Sequence, residues 1–105
     1  MAWRVVVSNE SHCALVSDSG AMLIWHYMPG LMDWSRICAY IRRYRITAQD
    51  IEDVERLVLS HWLERPLRLC AYVDPEAGHG FLDAGWRVVG FREGNQSVIF
   101  AKDVV

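Results

Sequence analysis

The stretch from Arg36 to Trp62, RICAYIRRYRITAQDIEDVERLVLSHW, constrains the fold more than any other part of the chain. It reads as a strand, an arginine-rich corner and an amphipathic helix. Thr47 is placed to act as N-cap. Asp50, three residues on, completes a capping box, with Asp where Glu or Gln is more usual. Asp50, Glu52 and Asp53 crowd the first turn, where the partial positive charge of the helix end favours carboxylates. Ile51, Val54, Leu57, Val58 and then His61 or Trp62 recur at helical spacing and form one apolar face. Pro66 ends the segment. Before the corner, Ile37 to Ile41 is apolar almost throughout, as expected of a strand covered on both faces.

The remaining segments read as strands and turns around that unit. Trp3 to Val7, His12 to Ser17 and Ala21 to Met28 are strands separated by turns at Asn9-Glu10-Ser11 and Asp18-Ser19-Gly20, which predicts an antiparallel meander. Leu67 to Val73 is a strand, followed by a loop from Asp74 to Gly80. Phe81 to Ala84 is one helical turn, with Gly85 as its left-handed cap. Trp86 to Arg92 and Ser97 to Lys102 form a closing hairpin, with Gly94 suited to positive φ in its turn. The segment from Arg36 to Val73 predicts a right-handed parallel crossover. The expected fold is α+β. It has a mixed, mostly antiparallel sheet of about six to seven strands, one main helix and one short helix, in a single domain over residues 1–105.

A chain of 105 residues buries roughly 65% of its unfolded surface, so it needs no disulfide or metal to fold. Cys13, Cys38 and Cys70 lie in predicted strands without a pairing motif, which suggests reduced, buried thiols and a cytoplasmic protein. No apolar run approaches the roughly 18 residues of a membrane span, and no signal peptide is recognisable. The four histidines show no metal-ligand spacing, and no metal is expected. No nucleophile elbow, P-loop or dinucleotide fingerprint occurs.

Two groups of residues stand out. Arg42, Arg43 and Arg45 lie beside a helix N-terminus with Tyr40, Tyr44 and Thr47 among them. Guanidinium forks there suit a phosphate, a nucleic-acid backbone or an acidic protein surface, unless they pair with Asp50, Glu52, Asp53 and Glu55 nearby. Leu31, Met32 and Trp34 put apolar weight into a short connection. That suits either a cap over the core or a docking surface, which in turn would allow a homodimer. His79, flanked by glycines and close to Asp74 and Glu76, is the best general-base candidate.

From Tyr72 the sequence YVDPEAGHGFLDAGWRVVGFREGNQSVIF resembles a family of small bacteriophage proteins related to GNAT-type N-acetyltransferases. The resemblance runs backwards through Cys38-Ala39-Tyr40-Ile41-Arg42 and Ala21-Met22-Leu23-Ile24-Trp25, and covers roughly residues 12 to 102. It implies a GNAT-like fold, and it implies an acyl-CoA region near Asp74, His79, Phe81, Gly85 and Trp86 if the chain is an enzyme. Two departures point the other way. The corner from Arg42 to Thr47 has no glycine to bring a diphosphate onto backbone amides, and only a turn stands where GNAT enzymes have two helices walling the acceptor site. The leading expectation is therefore a non-catalytic phage or prophage protein in the host cytoplasm. It would bind a host protein or complex, as an anti-CRISPR inhibitor of a defence complex does, and would need no cofactor. The alternatives are an N-acetyltransferase using acetyl-CoA and a nucleic-acid-binding module. The net charge of −2 weighs against nucleic acid.

Overall fold

The computed structural model describes residues 2–41, 45–94 and 96–105. Four strands come first: Trp3–Ser8 (β1), His12–Ser17 (β2), Met22–Met28 (β3) and Ser35–Ile41 (β4). Helix Ala48–His61 (α1) leads to strand Leu67–Val73 (β5). A single 3-10 turn, Pro75–Ala77, and the short helix His79–Asp83 (α2) precede strands Arg87–Arg92 (β6) and Ser97–Val104 (β7). The strands form one sheet in the order β1-β2-β3-β4-β5-β7-β6. Only β4 and β5 are parallel, and α1 is the crossover between them. The fold is α+β, as the sequence predicts, and among the described residues no helix is long and apolar enough to cross a membrane.

The entry to α1 is built as its sequence requires. The Thr47 hydroxyl accepts from the Asp50 amide at 3.1 Å, while the Thr47 amide donates to the Asp50 carboxylate at 3.2 Å. Ile46 before the cap and Ile51 after it are both buried in the core, the arrangement of a hydrophobic staple. Asp50 is itself buried, with 2% of its surface exposed, and its second oxygen accepts from the Trp3 indole N–H at 3.1 Å. The first turn of α1 is thereby fastened to the first residue of β1. At the other end the Trp62 indole donates to the Glu10 carbonyl at 3.2 Å, and a His61 ring nitrogen lies 2.8 Å from the Asn9 carbonyl. Val54 and Val58 pack between these anchors against Leu15, Ile37, Leu67 and Leu69.

Three readings change. Ile37 to Ile41 is not covered on both faces: Ile37, Ala39 and Ile41 face α1 and are buried, whereas Arg36 and Tyr40 on the opposite face are exposed. Its apolar look comes from Cys38, buried among Cys70, Ala101 and Tyr72 with no helix above it. Among the described residues of the last hairpin the left-handed one is Gln96, φ 54°, and not Gly94; it is the last residue before the chain re-enters the ladder at β7. The loop after β5 is partly helical, because Pro75 fixes a helical φ at the first position of its turn.

Asp50 gives a sharp test. Burial alone would raise its pKa; the hydrogen bonds from Trp3 and Thr47 outweigh burial and hold it below the usual range. Asp50→Asn loses an acceptor to those donors and is expected to cost roughly 2–3 kcal/mol at neutral pH, read as a lower urea midpoint. With a folded pKa depressed below the ~3.9 of the unfolded chain, the unfolded state binds the proton first. The carboxylate's contribution is therefore complete above about pH 5 and lost as pH falls through the folded value. The Asn variant should show a shallower acid-side decline; equal midpoints at both pH extremes would remove this role.

Candidate binding site

Two surfaces gather the residues singled out above. The first is a cleft of about 390 Å³ at the end of the parallel pair, lined by Arg45, Ile46, Thr47, Glu76, Ala77, His79 and Gly80. It brings His79 and Arg45, distant in sequence, to one opening. Its chemistry is limited. The Thr47 hydroxyl donates to Asp50 at 2.9 Å and is committed to the cap. No serine, cysteine or lysine stands among the described lining residues. Arg42, Arg43 and Tyr44 lie outside the described residues.

The segments that carry the acetyltransferase resemblance, Cys38 to Ile41 and Tyr72 to Trp86, are regular in structure. Strands β4 and β5 pair without interruption from Ser35↔Leu67 to Ile41↔Val73, and the Asp74 amide continues the ladder onto the Ile41 carbonyl at 3.3 Å. The ladder between the two strands is continuous over this length. The Phe-x-x-Ala-Gly-Trp segment is a helix cap. Gly85, φ 88°, donates to the Leu82 carbonyl at 3.1 Å, and Trp86 donates to the Phe81 carbonyl at 2.9 Å. Those are the two bonds of a Schellman ending, and the Phe81–Trp86 ring contact at 5.0 Å is its usual apolar closure. Phe81 and Trp86 are buried in the core. Asp74 caps the 3-10 turn in sequence without a side-chain bond to it.

The second surface is the sheet face that α1 leaves bare. Strand alternation sends every second residue there, and cross-strand register aligns them in rows. One row is His12, His26, Cys38, Cys70 and Ala101; the next includes Tyr40, Tyr72 and Ile99. The His12 and His26 rings meet edge to face at 4.6 Å. Tyr40 and Tyr72 stack at 4.8 Å, and the Arg92 guanidinium lies 5.5 and 5.6 Å from their rings while donating to the Tyr40 hydroxyl. Beside them is an open depression of about 380 Å³ walled by His26, Met28, Tyr40 and Tyr72, with Cys38 among its lining. The hydrogen bond that Cys38 shares with Cys70, together with burial, pushes its thiol pKa up. The same hydrogen bond lowers the Cys70 thiol, so of the two the proton is held more tightly on Cys38.

The arginines of this face form their own group. Arg68 bonds the Asp103 carboxylate at 2.7 Å and Arg87 bonds it at 3.0 Å, while Arg36 lies in register beside Arg68. The Arg68 hydrogen bond is the main cause of a depressed Asp103 pKa. The Trp34 ring sits under the Arg68 guanidinium at 5.8 Å. Leu31 and Met32 are 96% and 99% exposed at the end of this face. Tyr40 belongs to the bare face, whereas Arg45 and Thr47 belong to the cleft, so the described members of the arginine corner do not act together. Arg36, Arg68, Arg92, Tyr72 and the depression were not singled out from the sequence. Their signal is strand alternation, which the apolar run from Ile37 to Ile41 masks by reading as burial on both sides.

Comparison with protein-family models, curated proteins and solved structures returned no match to this chain.

The cleft has a mechanical test. A Cβ on Gly80 would stand 2.3 Å from the Ile46 carbonyl oxygen, so α2 could not keep its seat against the entry to α1. Gly80→Ala is expected to destabilise by about 1–3 kcal/mol. Gly90→Ala, whose nearest neighbour would be 3.7 Å away, should stay within about 0.5 kcal/mol. Urea denaturation of both variants checks this, and equal effects would contradict the tight packing.

Proposed function

We propose that this chain is a non-catalytic binding protein that works through the uncovered face of its sheet. One observation carries the reading. Across β3, β4, β5 and β6 the bare face sets the exposed Ile24, Met28, Tyr40 and Arg92 beside the half-buried Tyr72, around a depression with no described element of the chain above it. Tyr, Met and Arg are the residues enriched at protein interfaces, and a monomer gains nothing by leaving them together in water. The unbroken β4–β5 ladder, the self-capped entry to α1 and the absence of any helix among the described residues before Ala48 support a scaffold without acyl transfer. The resemblance to phage proteins makes the partner a host protein or complex met in the cytoplasm, of the kind that anti-defence proteins target.

Acetyl-CoA is the discriminating ligand. At about 100 times its Kd, a genuine ligand raises stability by about 2.7 kcal/mol. No change in the urea or thermal midpoint is expected here, and no acetyl transfer to an amine acceptor. A stabilisation of that size accompanied by transfer would overturn the reading.

A further inference from the structure

We infer that the partner of the bare face is a protein segment carrying a bulky apolar side chain flanked by carboxylates. The inference rests on the binding reading above and adds the chemistry of the partner. Its basis is a separation of charge that the net value hides. Arg4, Arg36, Arg68, Arg87 and Arg92 project from the bare face, by register with Val16, by register with Arg68 and by their contacts with Asp103 and the two tyrosines. Asp103 is the single carboxylate on the described strand residues of that face. The chain as a whole has 13 acidic and 11 basic residues. One face is thus strongly basic on an acidic molecule.

Shape and charge agree on the occupant. The depression walled by His26, Met28, Tyr40 and Tyr72 is apolar in its lining and takes one anchoring side chain, the usual centre of an interface. Arg92 stands at the tyrosine side of that depression, and Arg36 lies one strand-pair step along from Cys38 on β4. Guanidinium forks so placed bind carboxylates two oxygens at a time. Arg4, Arg36 and Arg92 have no ion-pair partner among the described residues; of these, Arg36 shares β4 with the lining of the depression and Arg92 touches Tyr40 and Tyr72, so these two are the cations placed for an incoming group. Seven strands about 4.8 Å apart and roughly 20 Å long give a face of the order needed for a standard interface, ~800 Å² on each partner. A second copy is a poor occupant, because a two-fold contact would set this arginine group against itself. Nucleic acid meets the charge but not the apolar band of Met22, Ile24 and Met28 beside it.

Titration of the full chain with three probes tests this: a glutamate–tyrosine copolymer, a lysine–tyrosine copolymer and single-stranded oligothymidylate. Binding is read by fluorescence anisotropy, and light scattering reports self-association. The glutamate–tyrosine copolymer should bind. The double variant Arg36→Glu/Arg92→Glu, both positions exposed, should weaken it roughly 10- to 100-fold, and Arg56→Glu on the outer side of α1 should not. Circular dichroism verifies that the variants fold. Failure to bind the glutamate–tyrosine copolymer, equal binding of the lysine–tyrosine copolymer or an unchanged affinity in the double variant would each overturn the inference. Tighter binding of oligothymidylate, or self-association abolished by the double variant, would do the same by naming a different occupant. None of these results touches the non-catalytic reading, which falls only if acetyl-CoA is bound and its acetyl group transferred.

Discussion

Parallel neighbours cannot be joined by a tight turn, so the pairing of β4 with β5 obliges the chain to climb back over the sheet between them. That return is α1, and its handedness commits it to one side. Among the described residues there is no second helix of comparable length: α2 has five residues and packs against the entry to α1. The core therefore collects on one side, where Leu15, Ile37, Leu67, Leu69 and Val58 are buried. The opposite side stays open across the full width of the sheet. What the protein can touch follows from that single crossover.

The same crossover decides what happens at the ends of the parallel strands, where ligands commonly bind in α/β sheets. Here Asp50 occupies the helix entry. Its carboxylate takes the Thr47 amide and hydroxyl on one oxygen and the Trp3 indole on the other. The buried carboxylate places a negative charge at the positive end of α1. It also ties α1 to β1, the strand farthest from β5 in that half of the sheet. The Thr47 and Asp50 amides are both spent on this closure.

Local signals made most of the fold legible in the sequence. The cap at Thr47, the apolar periodicity of α1, the turns at Asn9 and Asp18 and the left-handed Gly85 are each set by residues within five positions of one another. The surface was less legible because it depends on register between strands that are far apart in sequence. Tyr40 and Tyr72 are 32 positions apart, yet stack because β4 and β5 pair in step. Arg92 joins them only because β6 and β7 close the sheet. Cys38 misled in the other direction: a buried thiol lengthens an apolar run and imitates a second covered face. Phe81 and Trp86 resemble ligand-site aromatics in sequence, but their spacing is also what a Schellman ending demands.

Net charge is a poor guide to such a molecule because it averages over distances that salt does not allow. The molecule is 24 Å through its shortest dimension, three times the ~8 Å over which physiological salt screens exposed charges. Glu52 and Asp53 lie on α1, on the far side of the sheet from Arg36 and Arg92. A partner arriving at the bare face meets the guanidinium groups long before it senses those carboxylates. The acids themselves have a local reason to be where they are, since the first turns of α1 favour them. The arginines have another, since their long apolar stems cover a sheet surface that no helix protects. Two independent local demands thus separate the charges by layer, and the −2 that remains describes neither layer.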